Sequence, residues 1–231
     1  MHKKHDSLFY HAMLNPKFGK VAIIAEIKLA SPSEGVLGTA DDITARVRQY
    51  EQAGADAISI VTEKYLFHGE TEFVGRIKKE VSLPVLQKDF VIDEYQIYES
   101  KFAEADAILL IARLVDLDKL KDFTTLTQEL GMEAVVEINN QADLTKAVKT
   151  STKIIAVNAR DLDTFEVNVD RACKLLKKVP EKFIKLGFSG IHSRAEVEKY
   201  KRAGAKAVLV GTALMKTNDI DRLIKELKNV S

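Results

Sequence analysis

Four ionisable residues interrupt or end short apolar runs of the sequence: Glu26, Lys28, Lys88 and Glu137. Such runs are typical of parallel strands buried on both faces, where a charged Lys or Glu rarely lies unpaired. Ammonium and carboxyl groups that meet in one cleft could transfer protons, whereas the alternative is a layer of structural ion pairs. Because all four are expected near the same end of a sheet, we favour catalysis.

Two neighbouring turns have the small residues that an anion site needs. Ser189-Gly190-Ile191 follows one apolar run, and Gly211-Thr212-Ala213 follows the next. Small residues let backbone N–H groups face an anion, and the dipole of the following helix adds to the attraction. Together the turns predict a phosphate site, although a glycine after a strand often only forms the turn.

An internal repeat shows which elements position these residues. The segment 53–60, Ala-Gly-Ala-Asp-Ala-Ile-Ser-Ile, returns in similar form at 103–110 and at 203–210. Each copy passes from a helix-like segment through small residues into an apolar run of strand length, as expected between a helix and a buried parallel strand. The spacing predicts two strand-helix units in every 50 residues.

Eight strands alternate with amphipathic segments along the whole chain. The helical segments include 116–130 and 193–203, the latter with Ser193 as its N-cap. The predicted strands lie near residues 21–27, 57–62, 84–88, 107–112, 134–138, 154–158, 183–187 and 207–211. An unbroken series of eight units without a linker predicts one α/β domain, a (β/α)8 TIM barrel over 21–231 after a short N-terminal extension, 1–20. A doubly wound open sheet is the alternative.

Composition excludes several classes of protein. The 35 Lys and Arg against 34 Asp and Glu leave a charge of +1, so we expect no nucleic-acid partner. No apolar run is long enough to span a membrane, and no signal peptide is evident. The single cysteine, Cys173, is predicted to be a small buried residue in a helix, and its lack of a disulfide partner favours the cytoplasm.

No cofactor or metal ion is predicted. The sequence has no dinucleotide-binding fingerprint, P-loop or metal-ligand spacing. His2 and His5 lie close together near the N-terminus, but no cluster of Cys or carboxylate residues accompanies them. The extension is expected to form a short helix and linker that cover the bottom or the rim of the barrel.

Six segments in order along the chain resemble the indole-3-glycerol-phosphate synthase family. They are residues 24–33 (Ile-Ala-Glu-Ile-Lys-Leu-Ala-Ser-Pro-Ser), 59–63, 87–90 (Gln-Lys-Asp-Phe), 136–138, 157–162 and 210–215. The resemblance implies a (β/α)8 barrel. It also implies conversion of 1-(2-carboxyphenylamino)-1-deoxyribulose 5-phosphate into indole-3-glycerol phosphate, carbon dioxide and water, in tryptophan biosynthesis.

The resemblance also implies roles for individual residues. Lys88 matches the general acid, Glu137 the acid/base carboxylate, and Glu26 and Lys28 a charged pair beside them, while Asn158 and Arg160 match polar residues that face the substrate. The residues that match the ring-packing positions are Phe67, Phe90 and Leu162. The residues that match the phosphate-binding positions are Ser31, Ser189, Gly190, Gly211 and Thr212. For the apolar residues, ordinary core packing is the alternative.

Two features depart from the family. Phe188 occupies the position after the seventh strand where relatives typically have Glu, so an aromatic ring replaces a substrate-contacting carboxylate, and we expect this ring to contact the substrate at the barrel mouth. The N-terminal segment is also shorter than in most relatives, which usually use it to help cover the substrate. A diverged barrel that binds a related phosphate ligand with weak, altered or no synthase activity is therefore one alternative.

Another alternative is a related phosphate-binding barrel enzyme, such as a sugar-phosphate isomerase or a lyase with Lys88 as a Schiff-base nucleophile. In all these cases the partner is a small phosphorylated molecule. We expect a monomeric protein, and association with other enzymes of tryptophan biosynthesis stays open.

Overall fold

A computed structural model describes residues 7–229 of the chain, so His2 and His5 lie outside the described residues. Eight parallel strands close into a barrel in which the last strand pairs with the first, for example Ala25 with Val210. The strands are β1 (Ala22–Ile27), β2 (Ala57–Val61), β3 (Val85–Lys88), β4 (Ala107–Ile111), β5 (Glu133–Ile138), β6 (Ile154–Asn158), β7 (Ile184–Phe188) and β8 (Ala207–Val210). The predicted barrel is confirmed, and the closed pairing excludes the open sheet.

Eleven α-helices pack against the barrel within residues 7–229; α1 precedes the first strand, and the others follow strands. They are α1 (Leu8–Leu14), α2 (Asp42–Gln52), α3 (Lys64–Phe67), α4 (Glu72–Glu80), α5 (Glu94–Phe102), α6 (Leu117–Glu129), α7 (Gln141–Ala147), α8 (Val169–Leu176), α9 (Arg194–Arg202), α10 (Thr212–Lys216) and α11 (Ile220–Lys228). The Ser193 hydroxyl accepts a hydrogen bond from the Ala195 N–H at the start of α9, as its predicted capping role requires. None of the helices in residues 7–229 is long and apolar enough to cross a membrane.

The barrel separates two apolar clusters because successive side chains of a strand point to opposite faces. Outward residues such as Ile23 and Ile27 pack under the helices, whereas inward residues such as Ile24 and Leu86 fill the barrel. Side chains of alternate strands share a level in such a barrel. The strand register places four residues from alternate strands at the top level, and they are Glu26, Lys88, Glu137 and Phe188.

Helix α1 closes the bottom of the barrel, where the strands begin. Its Phe9 and Met13 are fully buried and belong to the interior cluster. The Ser7 hydroxyl, which caps α1, also donates to Glu133 at the first position of β5, 3.3 Å away. The extension was predicted to cover either the bottom or the rim of the barrel, and α1 lies at the bottom.

Cys173 is only partly buried, so its predicted burial is wrong. The inward face of α8 is formed by Ala172, Leu175 and Leu176, which leaves Cys173 on the flank of the helix. Partial burial, followed by the nearby charge of Asp170, raises the pKa of its thiol.

Candidate active site

A cavity of about 400 Å3 opens at the carboxyl ends of the barrel strands. The ends of all eight strands, or the residues just after them, contribute to its wall. Thirteen of the predicted site residues line it, and they are Glu26, Lys28, Phe67, Lys88, Phe90, Glu137, Asn158, Arg160, Leu162, Ser189, Gly190, Gly211 and Thr212. The geometry thus brings together polar groups that are far apart in the chain: Lys28 Nζ donates a hydrogen bond to the Thr212 hydroxyl, 184 positions away, at 3.2 Å.

Glu26 lies between two ammonium groups. Lys88 Nζ donates to Glu26 Oε2 at 2.9 Å, and Lys28 Nζ lies 3.6 Å from Glu26 Oε1. Burial opposes ionisation of Glu26, but the two lysines outweigh it and lower its pKa. Burial likewise opposes the charge on Lys88, but Glu26 and then Glu137 outweigh it and raise the Lys88 pKa. The ion pair therefore keeps Lys88 as an ammonium, which is a proton donor.

Glu137 is also buried, but its pKa is shifted in the direction opposite to that of Glu26. Burial raises its pKa, and the attraction of Lys88 and a hydrogen bond from Asn158 offset this only in part. Asn158 Nδ2 donates to Glu137 Oε1 at 3.0 Å, while Glu137 Oε2 has no hydrogen-bond partner within residues 7–229. This carboxyl group therefore keeps its proton to a higher pH than an ordinary Glu, and one of its oxygens is free for another molecule.

Asn158 connects Glu137 to the turn after β7. Its Oδ1 accepts hydrogen bonds from the Ser189 hydroxyl at 2.8 Å and from the Arg160 N–H at 2.9 Å. These bonds fix the orientation of the amide, so that its N–H group points at Glu137. Asn158 thus serves as a positioning residue in this geometry.

The two glycine turns border the cavity beside these charged groups. Ser189 and Gly190 both have left-handed backbones, with φ of 69° and 71°. At Gly211, a Cβ atom would lie 2.2 Å from Glu26 Oε1, so a side chain there would displace the carboxylate from its place between the two lysines. Glycine at 211 therefore lets Glu26 keep this position, whatever molecule binds at the turn.

Aromatic and aliphatic side chains form another part of the cavity wall. The rings of Phe67 and Phe90 are tilted by 59°, with centroids 6.4 Å apart, and Leu162 also lines the cavity. Glu63 caps α3 by accepting hydrogen bonds from three backbone N–H groups, including that of Phe67. The cap fixes the short helix that carries Phe67 to the cavity.

Two predicted site residues do not line the cavity. Phe188 is only 1% exposed and lies inside the barrel, with its ring centroid 5.3 Å from Lys88 Nζ. Ser31 is buried in a short hairpin formed by Ala30–Ser31 and Gly35–Val36, and its hydroxyl has no hydrogen-bond partner among the described residues. Phe188 therefore contacts the Lys88 ammonium inside the barrel without lining the cavity.

Sequence reasoning did not assign several residues that line the cavity. The additional lining residues are Glu34, Val61, Glu63, Asp89, Leu109, Ile111, Val167, Ile191, His192 and Leu209. The inward positions Leu109, Ile111 and Leu209 could have been found by counting alternate residues down from each strand end. Glu34 and His192 lie in loops, where no periodic signal marks the direction of a side chain. No group of three or more metal-binding side chains occurs within residues 7–229.

The cavity combines a proton donor, a protonatable carboxyl group and an apolar wall. The ammonium of Lys88 and the carboxyl of Glu137 share one level of the barrel, while small-residue turns border the same space. Such an arrangement suits general acid and base catalysis on an aromatic substrate with an anionic group.

Comparisons with known proteins agree with one another. A family model described as "Indole-3-glycerol phosphate synthase" matches residues 1–227. A protein of that name from Caldanaerobacter subterraneus subsp. tengcongensis is 43% identical over 91% of this chain and 82% of its own length. One from Acetivibrio thermocellus is 38% identical over 100% of this chain and 87% of its own length.

Solved structures of lower identity share the fold. A 3-hexulose-6-phosphate synthase superimposes with a TM-score of 0.73 at 14% identity, covering 91% of this chain and 100% of that chain. A mutant tryptophan synthase alpha-subunit from Pyrococcus furiosus gives 0.70 at 17% identity, covering 92% and 100%. At such low identity these structures support the barrel alone.

Proposed function

Because the chain belongs to the indole-3-glycerol phosphate synthase family, we propose that its cavity closes the indole ring with Lys88 and Glu137 as proton donors. The chain is a carboxy-lyase of tryptophan biosynthesis. Its substrate is 1-(2-carboxyphenylamino)-1-deoxyribulose 5-phosphate, and its products are indole-3-glycerol phosphate, carbon dioxide and water. The observation that carries the proposed roles is the Lys88–Glu26 pair, 2.9 Å apart in the same cavity as Glu137.

The substrate binds with its phosphate at the turns after β7 and β8 and its aromatic ring between the apolar walls. Ser189, Gly190, Gly211 and Thr212 receive the phosphate, and Lys28, which hydrogen bonds to Thr212, adds a positive charge. The residues that pack against the ring are Phe67, Phe90 and Leu162. Arg160 at the same rim faces the substrate's anionic groups.

Ring closure begins when the aromatic carbon that bears the carboxylate attacks the ketone. The Lys88 ammonium gives its proton to the ketone oxygen, so the new C–C bond forms as that oxygen becomes a hydroxyl. Breakage of the C–C bond to the carboxylate then releases carbon dioxide, and its electron pair restores the aromatic ring. Glu26 holds the ammonium in place through the first step.

Dehydration completes the indole. The Glu137 carboxyl, whose pKa is raised by burial, gives a proton to the hydroxyl group, which leaves as water. The neutral amine of Lys88 accepts the proton lost from the adjacent carbon, and one proton from solvent restores Glu137. The sequence consumes one proton in total, as the loss of a carboxylate as carbon dioxide requires.

The charge state of Lys88 favours this reaction over Schiff-base chemistry. A lysine that attacks a carbonyl must lose its proton first, and the carboxylates around Lys88 raise its pKa. The convergence of Lys88, Glu26 and Glu137 likewise favours an active enzyme over a barrel that only binds its ligand.

The proposed function is tested by turnover of the ribulose phosphate substrate by the parent chain and a Lys88→Met variant. We expect kcat to fall by about 10²- to 10⁴-fold in the variant, the usual contribution of a general acid, with a smaller change in KM. Lys78→Met is the matched control, because Lys78 has similar exposure and a similar ion pair, 2.7 Å from Asp106, but lies outside the cavity. Equal activity of the Lys88 variant and the control would contradict the assignment.

We also propose that the chain acts as a cytoplasmic monomer. The single cysteine, which cannot form an internal disulfide, supports a location in the reducing cytoplasm. Light scattering during gel filtration measures the mass in solution, and a dimer mass would contradict the proposal. Association with other tryptophan-pathway enzymes is tested by repeating the measurement with them added.

A further inference from the structure

We propose that Phe188 is a positioning residue, whose ring holds the Lys88 ammonium beneath the substrate through a cation–π contact. This inference rests on the proposed function in that Lys88 is the proton donor. It gives Phe188 a role that needs no contact with substrate.

The geometry of the top level of the barrel carries the proposal. Phe188 and Lys88 come from alternate strands of the same level, and Lys88 Nζ lies 5.3 Å from the ring centroid. Cations are attracted to an aromatic face within about 6 Å, most strongly where water is excluded. Phe188 is only 1% exposed, so its side of the contact is shielded from water.

The contact complements the ion pair with Glu26. Lys88 has three N–H donors, and one of them binds Glu26 Oε2 at 2.9 Å. A ring accepts a cation without taking a proton from it, so Phe188 stabilises the ammonium and leaves the remaining donors to a ketone oxygen. A carboxylate at this position would instead compete with the ketone for the same donors.

The backbone of Phe188 is fixed from the outside of the barrel. Its carbonyl accepts hydrogen bonds from the Tyr200 hydroxyl at 3.0 Å and from the Ala159 N–H at 2.9 Å. Tyr200 can approach this closely because residue 187 is glycine; a Cβ atom there would lie 2.3 Å from the Tyr200 ring. The ring of Phe188 therefore starts from a rigid strand end, as a positioning role requires.

Fluorination of the ring separates its electrostatic role from its shape. Phe188 is replaced by phenylalanines with one, two, three and five ring fluorines, which weaken the negative face in steps with little change in volume. We expect kcat to fall stepwise, by about tenfold over the series, with KM unchanged. We also expect the alkaline limb of the kcat profile to move to lower pH, because a weaker ring face stabilises the ammonium less.

The same series at Phe123 is the matched control. Phe123 is also buried and has Lys119 Nζ 5.5 Å from its ring centroid, but it lies on α6, outside the cavity. We expect kcat to stay constant there. A flat response at Phe188 would mean that its ring only fills space, and the proposal would be wrong.

A measurement without substrate keeps the two proposals distinguishable. Titration of Lys88 by NMR of ε-¹⁵N-lysine, assigned with Lys88→Met, follows its pKa directly in the fluorinated proteins. Absence of turnover in the parent chain would overturn the proposed function, whereas a Lys88 pKa that ignores fluorination would overturn the role of Phe188.

Discussion

Two glutamates of one barrel level differ in the direction of their pKa shifts. Lysines on both sides lower the pKa of Glu26, whereas burial raises that of Glu137, since Lys88 and Asn158 compensate for it only in part. Environments that separate the pKa values of two titratable groups are typical of acid and base pairs in active sites. At the scale of the residue, Glu26 is therefore the permanent anion and Glu137 the group that changes protonation.

Replacement of Glu137 by Gln should remove activity and increase stability at neutral pH. Gln can still accept the hydrogen bond from Asn158, but it cannot give a proton, so we expect kcat to fall by about 10²- to 10⁴-fold. The measurements are initial rates and urea unfolding of the variant and the parent.

The pH dependence of that stability difference has a defined sign. The pKa of Glu137 is higher in the folded state than in the unfolded state, so the protonated group stabilises the fold. This contribution is complete at pH values below the ordinary pKa of Glu, and it is lost as the pH rises through the raised pKa. The stability advantage of Glu137→Gln should therefore grow with pH across that window. An advantage that is constant from pH 4 to pH 8 would contradict the raised pKa.

The sequence was sufficient to predict which residues converge, but not the depth of each. Lys88, Glu26 and Glu137 were identifiable because a charge inside an apolar run needs a partner. Phe188 and Ser31 were expected to touch the substrate, but both are buried and do not line the cavity. Depth depends on the stagger of neighbouring strands, which no single strand encodes.

At the scale of the element, the turn after β7 depends on helix α9. The Tyr200 hydroxyl lies 3.0 Å from the carbonyl oxygens of both Phe188 and Ser189. Ser189 has a left-handed backbone that is costly for a residue other than glycine. The helix therefore holds the strained turn in the shape that borders the cavity.

Replacement of Tyr200 by Phe should loosen this turn. We expect a loss of about 1 kcal/mol of unfolding free energy, as for one hydrogen bond, and an increase in KM because the turn is part of the proposed phosphate site. Tyr50→Phe is the matched control: Tyr50 is also fully buried, but its hydroxyl contacts the Met215 sulfur at 3.6 Å and the Arg46 side chain instead of the turn after β7. Similar KM values in the two variants would exclude a role of Tyr200 in the turn.

The regular elements were easier to predict than the short ones. The bounds of all eight strands lie within one residue of their predicted positions, because the repeat marks three of the passages from helix to strand and short apolar runs mark the others. The hairpin around Ser31 and the single turn of α3 were not predicted. Elements of this size depend on particular contacts, such as the Glu63 cap, and leave no periodic signal.

At the scale of the whole molecule, the two ends of the barrel have separate tasks. The charged groups occupy the top, whereas Phe9 and Met13 of α1 close the bottom. Because these two residues share the interior cluster with the strands, α1 contributes to the core. The division into an extension, 1–20, and a barrel, 21–231, stays a prediction.

Shortening a buried side chain of α1 should therefore lower the free energy of unfolding and leave catalysis unchanged. We expect Phe9→Ala to cost about 3–5 kcal/mol of unfolding free energy, since Phe9 is fully buried, and kcat at low temperature to stay the same. Urea unfolding and initial rates measure the two effects. Phe102→Ala, at a residue that is 92% exposed, should change neither, and a large fall in kcat for Phe9→Ala would show that the two ends are coupled.

The close approach of Glu26 to Gly211 limits how this protein can vary. A Cβ atom at 211 and the carboxylate of Glu26 claim the same space, so the two positions are not independent. In a library randomised at both positions and selected for synthase activity, we expect glycine at 211 in the variants that keep Glu at 26. Substitutions that give this barrel a different chemistry should therefore occur in a set order. The carboxylate at 26 must move or be lost before a larger residue can replace glycine in the turn after β8.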